Sequence, residues 1–111
     1  MTEWCDLRVG ETFSSTHANF LIKFVEVSES RCGVGLTCVW QGYAEVKLAV
    51  SADGRSQVTT LFTRSGQVDL PSIRTIYGRT VNVVKLEPYP RADTPFDAGR
   101  YVLTLSISDR Q

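Results

Sequence analysis

The sequence predicts an all-β fold, a single-domain two-sheet β-sandwich of about seven strands, the number typical of small sandwiches. Three observations carry that reading. Residues 42–52 and 101–108 alternate apolar and polar side chains with the two-residue period of a half-buried strand. Asp53-Gly54 lies between two β-favouring runs and supplies the positive φ that a tight hairpin requires. No window keeps apolar residues at helical spacing over three turns, and β-branched residues are frequent throughout.

In chain order, Leu7–Ser14 reads as the first strand and Asn19–Ser28 as the second. In the second, Phe20, Ile22 and Phe24 line one face while Leu21, Val25 and Val27 line the other, interrupted only by Lys23 and Glu26. A strand apolar on both faces is either central with a covered outer face or part of a subunit contact, which makes a homodimer one expectation. Tyr43–Ser51 turns Ala44, Val46, Leu48 and Val50 inward, and Ser56–Thr63 completes the hairpin. A short piece follows near Val68–Leu70. In Arg79–Glu87 the apolar face switches from Val81 and Val83 to Val84 and Leu86, which implies a bulge or burial on both faces. Arg100–Ser108 closes the set with Tyr101, Leu103, Leu105 and Ile107 inward. A closed β-barrel of the same strands is the alternative architecture.

Composition bounds the function classes. A chain of 111 residues with 42% hydrophobic and 22% charged residues fits one globular domain with its own core. Twelve basic residues balance twelve acidic ones, so no net field draws a phosphate backbone and no nucleic-acid partner is expected. Glu3, Asp6, Arg8 and Glu11 interrupt the first twenty residues, so no signal peptide is expected, and no apolar run reaches the length of a membrane span.

Two loops exceed what hairpins need. Glu29 to Gln41 holds Cys32 and Cys38, and Pro88 to Gly99 holds three prolines that forbid regular ladder pairing. Cys32 and Cys38 are near enough in sequence to form a local disulfide if Gly33 and Gly35 take turn conformations; two free thiols are the alternative. Cys5 is left over, as a buried apolar residue, an intermolecular link, or a zinc ligand with Cys32, Cys38 and His17, although no CxxC-type pair supports zinc. His17 is the only histidine, and no nucleophile elbow, phosphate loop or HExxH motif accompanies it.

Catalytic residues, cofactors and metals are therefore not expected. Trp40 reads as a core plug at one end of the sandwich or as an exposed platform for a ligand. Arg31, Tyr89 and Arg91 read as loop packing and ion pairing or as recognition of an anionic or peptide partner. The leading functional expectation is a non-catalytic binding module that presents Arg31, Trp40, Tyr89 and Arg91 on its two long loops to an unknown protein or small ligand. The alternatives are a structural homodimer, a protease inhibitor offering the Cys32–Cys38 loop as a substrate mimic, and an enzyme built on His17.

The segment Ser30–Gly42, SRCGVGLTCVWQG, resembles the SRCPxxVxCVWxG signature of an uncharacterised family of small bacterial β-rich domains, often found as secreted proteins or lipoproteins. The likeness continues through LRVGETF, FLIKFVEV, VVKLEPYP and YVLTLSI, with Gly33 where the pattern has proline and Leu36 where it has valine. The resemblance implies a β-sandwich, a paired role for Cys32 and Cys38, and an extracytoplasmic setting. It carries no established activity.

Overall fold

A computed structural model describes residues 2–15, 19–38, 42–63 and 71–109 of the chain. The described strands are β1 (Thr2–Arg8), β2 (Thr12–Ser14), β3 (Phe20–Glu29), β4 (Ala44–Ala52), β5 (Arg55–Phe62), β6 (Ile73–Ile76), β7 (Arg79–Glu87) and β8 (Val102–Asp109). All pair antiparallel, in two four-stranded sheets ordered β1-β8-β7-β6 and β2-β3-β4-β5. The sheets are separate and unclosed, so the fold is the sandwich and not the barrel.

The core is the set of alternate residues that the sequence pattern turns inward. Val46, Leu48 and Val50 of β4 share one core cluster with Leu103, Leu105 and Ile107 of β8 and with Ile22 and Phe24 of β3, all fully buried. The Asp53-Gly54 hairpin forms as expected, with φ of 50° and 80° and Ala52 paired to Arg55. Tyr77-Gly78 makes a second hairpin of the same kind, with φ of 51° and 80°, joining β6 to β7. The Arg55 guanidinium lies 4.6 Å from the centre of the Tyr77 ring and so links the two hairpin tips across the sheets.

Three strand readings are corrected by the structure. Leu7–Ser14 is two strands in different sheets, because Gly10 takes a φ of 94° and breaks the run between Arg8 and Thr12. The corner is tied to β3 by hydrogen bonds from Gly10 N–H to the Phe24 carbonyl (2.7 Å) and from Phe24 N–H to the Glu11 carbonyl (3.1 Å). β3 slips register between Phe24 and Glu26, so its apolar pattern changes face at a bulge: Phe20, Ile22 and Phe24 point inward before it, and Val27, opposite buried Val46, points inward after it. The bulge accounts for Val27, whereas Leu21, before it on the outer face, is 38% exposed. β6 lies outside every segment read as a strand, and the piece near Val68–Leu70 lies outside the described residues. The bulge expected in Arg79–Glu87 is present, between Val83 and Lys85.

Candidate functional site

Both long loops lie at the end of the sandwich where β3 and β7 finish and β8 begins. Glu29 closes β3 with its side chain turned between the sheets, and Arg31 follows two residues later. The Arg31 Nη2 lies 2.6 Å from Glu29 Oε1, and its Nε donates to Oε2 at 2.9 Å. The guanidinium then reaches the other sheet: Nη1 donates to the Leu86 carbonyl (2.9 Å) and Nη2 to the Pro88 carbonyl (3.1 Å). From β8's side the Tyr101 hydroxyl donates to Glu29 Oε1 at 2.8 Å. The Tyr89 ring covers the guanidinium, 4.5 Å away.

Of the two roles the sequence allows Arg31, this arrangement shows the packing and ion-pairing one, with the pair buried and not at the surface. Its side chain is 6% exposed and that of Glu29 is 8% exposed, so the arginine is a buried tie between sheets. A buried ion pair is favourable only when hydrogen bonds satisfy the remaining donors and acceptors, and here two backbone carbonyls and a tyrosine complete the set. Burial acts upward on the Glu29 carboxyl and is the largest single influence. Hydrogen bonds from Arg31 and Tyr101, with the Arg31 charge, together outweigh it and hold Glu29 below the usual carboxylate range. Burial and the Glu29 carboxylate push Tyr101 up to about 12. The cluster thus joins the two sheets through a carboxylate held ionised by its partners and a phenol held protonated.

Cys32 and Cys38 form a disulfide, with Cα atoms 6.0 Å apart. The ring they close docks on the proline-rich loop: Val34 N–H donates to the Pro90 carbonyl (2.8 Å) and Ala92 N–H to the Val34 carbonyl (2.9 Å), a parallel bridge between Val34 and Arg91. Gly33 permits that approach, since a Cβ there would stand 3.0 Å from the Pro90 carbonyl oxygen. Where the loop returns to β4, Gly42 has a φ of 71° and an added Cβ would run into the Ser30 carbonyl. Asp97 caps the short 3-10 turn Ala98–Arg100 through a hydrogen bond from Gly99 N–H to its Oδ1 at 3.0 Å.

The chain matches no family model, no curated protein and no solved structure. Between the 3-10 turn and the proline-rich loop lies a pocket of about 110 Å³ whose walls include Tyr89, Pro90, Thr94, Pro95, Phe96 and Tyr101. The Phe96 and Tyr101 rings lie 5.5 Å apart at its side. Tyr89 is 43% exposed and Phe96 57% exposed, and Arg91 stands on the rim with its Nε 3.2 Å from Asp93 Oδ1. Of the residues the sequence singles out, Tyr89 and Arg91 line this pocket, together with Phe96 and Thr94, which the sequence reading does not single out. The signal for Phe96 was its setting between Pro95 and Asp97, where a large aromatic has no strand face on which to hide.

Trp40 and His17 lie outside the described residues. Cys5 is unpaired and half-buried on β1 opposite Leu105. Burial, with Asp6 and Glu3 adding to it, pushes its thiol up to about 12. With Cys32 and Cys38 joined, the zinc set is not available, and no group of His, Cys, Asp and Glu among the described residues is placed to hold a metal. No helix among them is long and apolar enough to cross a membrane.

Proposed function

We propose that the protein is a non-catalytic recognition module whose loop end captures one apolar side chain of a protein partner in the pocket beside Tyr89 and Phe96. The observation that carries this reading is a local cluster of exposed apolar side chains: of the nine large ones exposed among the described residues, Val34, Leu36, Tyr89 and Phe96 belong to the two loops joined by the Val34–Arg91 bridge, and the other five are spread over five strands. Pocket size selects the kind of occupant. Drug-sized ligands fill roughly 300–1,000 Å³. A cavity of about 110 Å³ takes a single ring or branched aliphatic group. Rigid loops lose less entropy on binding, and the disulfide, the backbone bridge and the buried Arg31–Glu29 pair supply that rigidity.

The inhibitor alternative is less well served, because a substrate mimic needs a free extended segment. Here Val34 commits both backbone groups to the neighbouring loop, and Leu36 N–H turns back to the Gly33 carbonyl at 3.1 Å. An extracytoplasmic location is part of the proposal; the disulfide is compatible with it.

The test is selection of binders from a displayed random-peptide library, followed by titration against Tyr89→Ala and Phe96→Ala variants. Peptides with an apolar anchor should shift the amide resonances of Thr94 and Phe96 and lose affinity about tenfold or more in each variant, while Phe96→Ala, which leaves the Tyr89 ring over Arg31, unfolds near the wild-type midpoint. Binders that map to another surface, or that bind both variants unchanged, would sink the proposal.

A further inference from the structure

The sandwich has four strand edges, and they are not equally protected. An edge strand exposes a row of unpaired N–H and C=O groups, which natural sheets blunt by shortness, charge, proline or bulges. β2 is 3 residues long and β6 is 4. β1 carries Glu3, Asp6 and Arg8 along its length. β5 has none of these devices: it runs 8 residues without proline or register slip, and Ser56–Phe62, SQVTTLF, is uncharged and rich in β-branched residues. Its single charged residue, Arg55, is drawn over the Tyr77 ring of the other sheet.

The parity of the strand identifies which groups are open. Ala52 and Arg55 flank the two-residue hairpin as a bonded pair, so Arg55, Gln57, Thr59 and Leu61 direct their backbone groups to β4. Thr63 N–H continues that series onto the Ala44 carbonyl. The other series points away from the sheet. Phe62 N–H meets the Pro71 carbonyl at 2.9 Å, which caps one end of the edge and leaves Ser56, Val58 and Thr60 facing outward. Val58 is 61% exposed at the centre of that row.

We infer that the edge of β5 pairs antiparallel with β5 of a second copy of this chain, about a two-fold axis through Val58. In that register Val58 faces Val58 of the copy, while Ser56 and Thr60 face Thr60 and Ser56, so the same residues serve both sides, as two-fold symmetry demands. No like charges are brought opposite each other. A single strand pair buries less than the roughly 1,200 Å² at which specific interfaces become stable, so the association is weak and concentration-dependent.

Sedimentation over a wide concentration range tests this, paired with amide exchange. The mass should climb from 12.4 kDa toward twice that value. Amides of Ser56, Val58 and Thr60 should gain protection as concentration rises, while those of Gln57, Thr59 and Leu61 are protected throughout. Val58→Lys should weaken self-association by at least about tenfold, since it sets two cations face to face. Thr60→Lys, on the same side of the strand, keeps the test decisive if the first variant folds poorly. A chain that stays at 12.4 kDa into the millimolar range, a dimer indifferent to both lysines, or exchange at Ser56, Val58 and Thr60 that ignores concentration would each overturn the inference.

Discussion

The Tyr101 hydroxyl donates to Glu29 Oε1 at 2.8 Å, so the last residue of β3 in one sheet is held by the residue that leads into β8 of the other. Arg31 completes the joint by bonding Glu29 and the carbonyls of Leu86 and Pro88 at once. Arg31→Ala strands a buried carboxylate and two carbonyls, and should cost about 3–5 kcal/mol of stability in denaturant titration. Replacing Arg31 and Glu29 together by apolar residues of similar volume should cost less than Arg31→Ala alone. If the single variant is as stable as the wild type, the pair is not a structural tie.

The same joint sets the pH response. Glu29 is held below its ordinary value in the folded chain, so the stability it contributes is complete above the usual carboxylate range and is lost as pH falls through its folded pKa. Tyr101 is raised from 10.0 to about 12, so its contribution is complete below pH 10 and disappears as pH rises toward about 12. Unfolding free energy measured against pH should lose part of its acid limb in Glu29→Gln and part of its alkaline limb in Tyr101→Phe. Unchanged limbs in both variants would contradict the assignment.

Much of the sandwich was legible because its signals are local. The period of Ala44, Val46, Leu48 and Val50, the Asp53-Gly54 turn and the inward set from Tyr101 to Ile107 each depend on neighbours in sequence, and each is where the pattern put it. The break at Gly10 was hidden, because one glycine and a change of hydrogen-bond partner move the chain from one sheet to the other while the apolar pattern runs on. β1 was hidden too, since Glu3 points inward to Arg79 and Trp4 is 63% exposed, the reverse of what side-chain polarity suggests. The site was the least legible part. The direction of Arg31 is fixed by carbonyls 55 and 57 residues further along, and nothing around Ser30 announces them.

Thiol chemistry should separate the three cysteines. Cys5, with its thiol pushed up to about 12 and half-buried, should resist alkylation at neutral pH in the folded chain and react readily on unfolding. Replacing Cys32 and Cys38 by serine should remove about 2.4 kcal/mol in the chain-entropy view. Val34 and Ala92 amides should exchange faster in that variant, because their hydrogen bonds join the closed ring to the proline-rich loop. Native alkylation of Cys5 at the rate of a free peptide thiol would refute the first expectation, and unaltered exchange at Val34 and Ala92 the second.

Glycine substitutions should sort by what surrounds them. Gly10→Ala meets no atom within 4 Å, so its cost is the strain of a positive φ, about 1 kcal/mol. Gly42→Ala adds a collision with the Ser30 carbonyl to the same strain and should be the more destabilising of the two by thermal unfolding. Equal midpoints would mean that the return of the loop into β4 can relax around a side chain.

The opposite end of the sandwich has a tie of its own. Arg79 of β7 lies 3.6 Å from Glu3 of β1 and 3.3 Å from Asp109 of β8, while Ser15, beyond β2 in the other sheet, donates to Glu3 at 2.6 Å. Thr2 pairs with Ser108 at that end, so the beginning of β1 and the finish of β8 leave the fold side by side. Strands of 8 residues such as β8 span roughly 25 Å, and that length separates this end from the disulfide-closed loop. Thr2 and Asp109, the first and last described residues, therefore stand together at the back of the molecule, facing away from the loop end that carries the pocket.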